Sequence, residues 1–178
     1  MISISFVLYT LFIFRACNCF QSDNEPLKSS IIGHWKEDQQ TRTNLNEFLY
    51  NVGVEGIRRS LATTLSWEND QIFKSDGAGL ELKMTNGPLK TRIKMKINLD
   101  DKFKSNQIYI GPDLGGVVDA TSEVIQNSLI VTLKLAGKTE THLLITRTIN
   151  PQNRNEMVMT AKHVPSGAET SSIYRRIS

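Results

Sequence analysis

The chain is poor in the residues that redox, metal and nucleic-acid proteins depend on. It has two cysteines, Cys17 and Cys19, both near its start, and no paired-cysteine spacing that would hold a metal. Its three histidines, His34, His142 and His163, fall on different segments, none with the helical spacing of a zinc site. His142 lies inside a predicted strand and reads as a satisfied barrel residue, not a base. There is no Gly-x-Ser-x-Gly elbow and no phosphate loop; Gly77, Gly79, Gly115 and Gly116 belong to turns. The acidic pair Asp100-Asp101 closes a strand in solvent. Catalysis, metals and other cofactors are therefore not expected. A formal charge of +3 over 178 residues, with no block of like charges, also argues against nucleic acid as a partner.

Long hydrophobic runs are scarce too. Residues Met1 to Phe14 carry no charged side chain, and Phe6 to Phe14 are mostly apolar. That run is short of the roughly 20 residues a membrane-spanning helix needs. It suits the apolar segment of a secretory signal peptide over residues 1–19, with small residues in Ala16-Cys17-Asn18-Cys19 as the processing region. A basic residue near the start is missing, and a buried amino-terminal strand is the alternative. On the signal reading the protein is secreted and extracellular, the mature chain loses both cysteines, and no disulfide supports the fold. A closed barrel suits such a chain, since each strand then has two neighbours.

Residues 20–30 are polar, include Pro26, and read as a flexible amino-terminal tail. A single domain spans 31–178. It opens with a short strand from Ile31 to Lys36. Leu45, Phe48, Leu49 and Val52 then fall at helical spacing, with Thr43 or Asn44 as cap and Gly53 as stop. A second helix follows from about Glu55 to Thr64, with Ile57 and Leu61 on one side and Arg58 and Arg59 elsewhere. After Ser66 the period changes to two. Thr91 to Leu99 alternates most cleanly, placing Ile93, Met95, Ile97 and Leu99 on one face. Ser105 to Gly116 is loop with at most a scrap of strand at Ile108. Hairpins run on through Gln126-Asn127-Ser128, Ala136-Gly137-Lys138, Asn150 to Arg154 and Pro165 to Gly167. This is an up-and-down antiparallel meander long enough to close.

Four segments resemble the intracellular lipid-binding protein family, the fatty-acid-binding proteins and their retinoid-binding relatives. They are Gly33-His34-Trp35-Lys36, Asn44-Leu-Asn-Glu-Phe-Leu-Tyr-Asn-Val-Gly-Val54, Ala136-Gly137-Lys138 and Ser171-Ser-Ile-Tyr-Arg-Arg176. The resemblance covers Ile31 to Ser178, and the signal with the extended 105–116 loop is similar to a smaller secreted group known from nematodes. It implies an all-β fold, a ten-stranded calycin-like barrel with a two-helix lid. It also implies a monomeric carrier that sequesters a fatty acid or related hydrophobic ligand, such as a retinoid, in an internal cavity.

The resemblance places Phe48 and Leu49 near the lid and Ile57 and Leu61 at the ligand's exit. Met157 and Met159 would face inward on the penultimate strand, with core packing as the alternative for all of these. In the family a carboxylate meets two inward arginines and a tyrosine. Here Tyr174 keeps the tyrosine, but Ser172 and Leu144 occupy the arginine positions. By simple alternation Arg147 faces the opposite side and needs a bulge to point inward. Arg176 shares the parity of Tyr174 and could serve from the far side; surface charge is the other reading of both arginines. With hydroxyls alone, the site would favour a neutral head group or bind fatty acids weakly. Transient contact of Arg58 and Arg59 with anionic membranes is a further expectation. The alternatives are a lipocalin-type carrier, or a barrel serving as a protein-interaction scaffold.

Overall fold

The structure, a computed structural model, describes residues 25–54, 56–64, 69–77, 79–86, 91–99, 106–110 and 116–178. The proposed signal over 1–19 lies outside them. Among the described residues, no helix is long and apolar enough to cross a membrane.

Ten strands form one antiparallel sheet: β1 (Gly33–Thr43), β2 (Asp70–Asp76), β3 (Gly79–Asn86), β4 (Thr91–Ile97), β5 (Asn106–Tyr109), β6 (Val117–Ile125), β7 (Ser128–Leu135), β8 (Thr141–Ile149), β9 (Glu156–His163) and β10 (Glu169–Arg176). The ladder runs β4-β3-β2-β1-β10-β9-β8-β7-β6-β5, so the chain's first and last strands pair in the middle and sequence neighbours pair elsewhere. Asn106 Nδ2 on β5 donates to the Lys96 carbonyl on β4 at 2.8 Å, bridging the two outer strands, and Ser122 Oγ on β6 donates to the Asn98 carbonyl just beyond β4 at 2.9 Å. The result is a nearly closed barrel, ten strands and not the eight of a lipocalin.

Strand alternation decides which side chains fill it. Leu80 and Leu82 on β3, Ile93, Met95 and Ile97 on β4, and Leu129, Val131 and Leu133 on β7 are all buried, and the residues between them, Glu81, Lys94, Lys96, Ile130 and Thr132, take the other face. Leu99 is buried just past the end of β4.

Residues 25–30 are not the flexible tail that their polarity suggested. They belong to helix α1 (Glu25–Ile31), whose Leu27 and Ile31 lie one turn apart and are both buried. The Ile31 carbonyl accepts from Trp35 Nε1 at 2.8 Å, and Lys28 Nζ donates to the Gly77 carbonyl at 2.8 Å. Two apolar side chains at helical spacing were enough to dock this short segment.

β1 is longer than the expected stretch ending at Lys36. Its pairing with β10 shifts between Asp38 and Thr43, a bulge in which Thr41 Oγ1 accepts from the Ile173 amide at 2.8 Å. Asn44, at φ 51, then turns the chain into helix α2 (Leu45–Asn51), followed by α3 (Gly56–Thr64). The carboxy-terminal residue meets the start of β1: the His34 amide donates to the Ser178 carbonyl at 2.7 Å. A Cβ at Gly33 would stand 2.7 Å from that same oxygen, and φ there is +144°, so only glycine fits without strain.

Candidate ligand-binding site

Residues directly opposite in adjacent strands share a face of the sheet. One inward row joins Leu129, Arg147, Met159 and Ser172 across β7 to β10. The next joins Ile149, Met157, Tyr174 and Glu37, and a third joins Arg176, Trp35, Gln71, Met84 and Ile93. Of the polar members of these rows, Arg147, Gln71, Tyr174 and Glu37 come together inside the barrel.

Arg147 is their centre. It is 1% exposed, and its guanidinium carbon lies 5.9 Å from the centroid of the Phe73 ring. Its Nε donates to Gln71 Oε1 at 2.7 Å and its Nη2 to Met84 Sδ at 3.4 Å. Nη1 is buried and has no hydrogen-bond partner among the described residues. No described carboxylate pairs with it. Burial brings its pKa down to about 10, with the nearby Tyr174 opposing the shift, so the group stays cationic at neutral pH.

Gln71 donates from Nε2 to Met159 Sδ at 3.0 Å and lies close to Tyr174. Burial, with Glu37 close by, pushes the Tyr174 phenol well above its ordinary pKa, and Gln71, Arg147 and Arg42 pull the other way. Tyr174 is therefore a neutral hydroxyl. Beside it, Glu37 accepts a two-pronged bond from Arg42, Nε to Oε1 at 2.8 Å and Nη2 to Oε2 at 2.5 Å, and a further bond from Asn69 Nδ2. The bulge in β1 is what brings Arg42 round to Glu37. That pair holds Arg42 above its ordinary pKa and neutralises itself, leaving Arg147 as an uncompensated cation in a largely apolar interior.

The expected site residues divide into two groups. Tyr174, Ser172, Met157 and Met159 share the inward face with Arg147, and Tyr174 and Ser172 are buried. The bulge that Arg147 needs to point inward is present in β8. Lys134 pairs with Thr141 but Leu133 with Leu143, so His142 is an extra residue that resets the alternation. Leu144 pairs with Lys162 and Thr132 on the outer face instead. Arg176 is inward in parity, but it is committed to the other end. It lies 4.6 Å over the Trp35 ring and donates to the Ser30 carbonyl in the last turn of α1.

Phe48 is buried, Leu49 packs partly against the core, and α2 lies against β9 and β10. Ile57 and Leu61, expected at the ligand's exit, lie on the surface of α3: they are 78% and 42% exposed, and α3 has no buried residue. Two of the histidines do meet, His142 and His163 edge to face at 5.0 Å, yet among the described residues no three metal-ligating side chains gather.

Gln71, Glu37, Arg42 and Met84 were missed. Glu37 lies two residues beyond Trp35, which fixes its face. Gln71 precedes Ile72 and Phe73, an apolar pair that leaves the phase of β2 ambiguous.

No family model and no curated protein matches the chain. Solved structures do. Echinococcus granulosus fatty-acid-binding protein 1 superimposes with a TM-score of 0.66 at 15% identity, over 84% of this chain and 99% of that one. Apo lipid binding protein 8 of Caenorhabditis elegans gives 0.64 at 15% identity, over 83% and 96%. A secretory abundant heat soluble protein of Ramazzottius varieornatus gives 0.65 at 10% identity, over 83% and 95%. The chain has the calycin-like barrel fold of fatty-acid-binding proteins, and at these identities the likeness establishes the fold.

Proposed function

We propose that this protein is a secreted carrier that sequesters and transports one fatty acid or related hydrophobic ligand, such as a retinoid, inside the barrel, with no catalytic step. The observation that carries this reading is Arg147. A guanidinium without a carboxylate partner, enclosed by apolar walls and with Nη1 unpartnered, calls for an acceptor from outside the chain. Tyr174 lies close to Gln71 in the same cluster and offers a neutral hydroxyl, while Met157 and Met159 supply adaptable apolar surface. The head group of the ligand would meet Arg147, and its chain would lie along the inner faces. The fold's occurrence in fatty-acid-binding and lipid-binding proteins supports the same reading.

Secretion rests on the apolar run from Phe6 to Phe14 and the small residues up to Cys19. For delivery, exposed Ile57 and Leu61 beside Arg58 and Arg59 on α3 suit brief contact with an anionic membrane, each cation contributing about 1 kcal/mol near the surface. The same exposed residues, with Tyr50, favour a second reading in which the barrel presents this surface to a protein partner.

Displacement of a fluorescent fatty acid from delipidated protein tests the carrier. Saturable binding at one site, competed by fatty acids, retinoids or acylglycerols, is expected. A barrel that ignores the whole panel leaves the scaffold reading.

A further inference from the structure

The Arg147 anchor is partly occupied by the protein itself. Gln71 is 2% exposed, and its amide lies beside the two groups that a ligand's head would use. Its oxygen takes the Nε hydrogen of Arg147 at 2.7 Å, and the Tyr174 hydroxyl is close by. A carboxylate binds a guanidinium best with two parallel bonds, one of them usually to Nε or to paired Nη hydrogens. Here the Nε side is held by an amide oxygen of nearly the same shape as one carboxylate oxygen. Among the described residues Nη2 donates only to a thioether, Met84 Sδ, which is a weak acceptor, and Nη1 is unpartnered.

We infer that Gln71 is a specificity-determining residue: it stands in for half of a carboxylate on the Nε side of Arg147, near Tyr174, so that an anionic head group gains the two-pronged bond through Nε only by displacing it. A head group with one uncharged acceptor, such as an alcohol or an ester carbonyl, reaches Nη1 with Gln71 in place. Gln71 thereby narrows the advantage that a lone buried arginine would otherwise give to ionised fatty acids. This inference rests on the lipid-carrier reading and assigns the selectivity of that same site.

The test is the ratio of affinities for oleate and oleyl alcohol in the wild type, Gln71→Leu and Gln71→Glu, with thermal melting to verify that each variant folds. Gln71→Leu removes the competing oxygen and should raise the preference for oleate about tenfold, the scale of one hydrogen bond to a charged group. Gln71→Glu ties up the guanidinium with a permanent carboxylate and should lower that preference at least tenfold while oleyl alcohol still binds. Should Gln71→Leu fail to fold, Gln71→Glu alone decides. In ¹⁵N spectra of the wild type, the Gln71 side-chain amide should shift with oleate and hold still with oleyl alcohol. An unchanged ratio in the folded variants overturns the role of Gln71 while leaving the carrier intact. Binding of neither lipid by any of the proteins overturns both.

Discussion

Replacing Arg147 with Met should make the empty protein more stable and a worse binder of fatty acids. The side chain is wholly buried without a counter-ion, and the fall in its pKa to about 10 corresponds to a penalty on the charged form of about 3 kcal/mol. The sign follows from linkage. A cation whose folded pKa is depressed destabilises the fold at every pH below that value, and the penalty disappears only as pH climbs past about 10. Methionine fits among Met84, Met159 and Phe73, but it leaves Gln71 Oε1 without its donor, which costs about 1–2 kcal/mol. The balance is a gain of about 1–2 kcal/mol at neutral pH, or a rise in melting temperature of roughly 3–6 °C for a chain of this size. Pairing Arg147→Met with Gln71→Leu removes the orphaned oxygen and should add to the gain. Thermal melts of delipidated protein measure the first effect. Titration with oleate measures the second, a loss of at least tenfold. A variant that is less stable than the wild type, or that binds oleate unchanged, refutes the view of Arg147 as an uncompensated cation awaiting an anion.

Other perturbations act on the frame around the site. Glu37→Gln breaks the two-pronged bond to Arg42 and strands that guanidinium beside Tyr174; urea unfolding should register a loss of about 2–4 kcal/mol. Gly33→Ala brings a Cβ against the Ser178 carbonyl at a φ of +144° and should cost about 1–3 kcal/mol, an effect that deleting Ser178 should partly relieve. Leu27→Ala empties the buried contact of α1, and a loss of about 2–4 kcal/mol in chemical denaturation would distinguish a docked helix from a loose tail. No change on that substitution would restore the tail.

The barrel was legible in the sequence because its evidence is repeated: strand after strand alternates and short turns separate them, so no single ambiguity changes the outcome. The inward set of β9 and β10 was legible for the same reason, since Met157, Met159, Ser172 and Tyr174 follow one unbroken phase. Arg147 was hidden by the extra residue at His142, because a bulge is a single insertion that leaves no compositional mark yet exchanges the two faces of everything after it. Arg42 was hidden by the comparable irregularity in β1, where Thr41 and Thr43 resemble helix-start residues and in fact end a strand. Ile57 and Leu61 present a different case. Their spacing correctly marks a helix face, but spacing does not say which way that face turns, and in α3 it turns to solvent. Helix α1 was readable in principle from Leu27 and Ile31, although a helix of two turns depends on the docking partners, Trp35 above all, which only the fold supplies.

Native mass spectrometry with lipid extraction, on processed protein purified from a secreting host, tests the carrier most directly. The account predicts one hydrophobic ligand per chain, with a head group bearing an acceptor for Arg147, and its loss in Arg147→Met if that acceptor is a carboxylate. A chain that emerges empty, and that takes up no fatty acid, retinoid or acylglycerol when these are added, would contradict it.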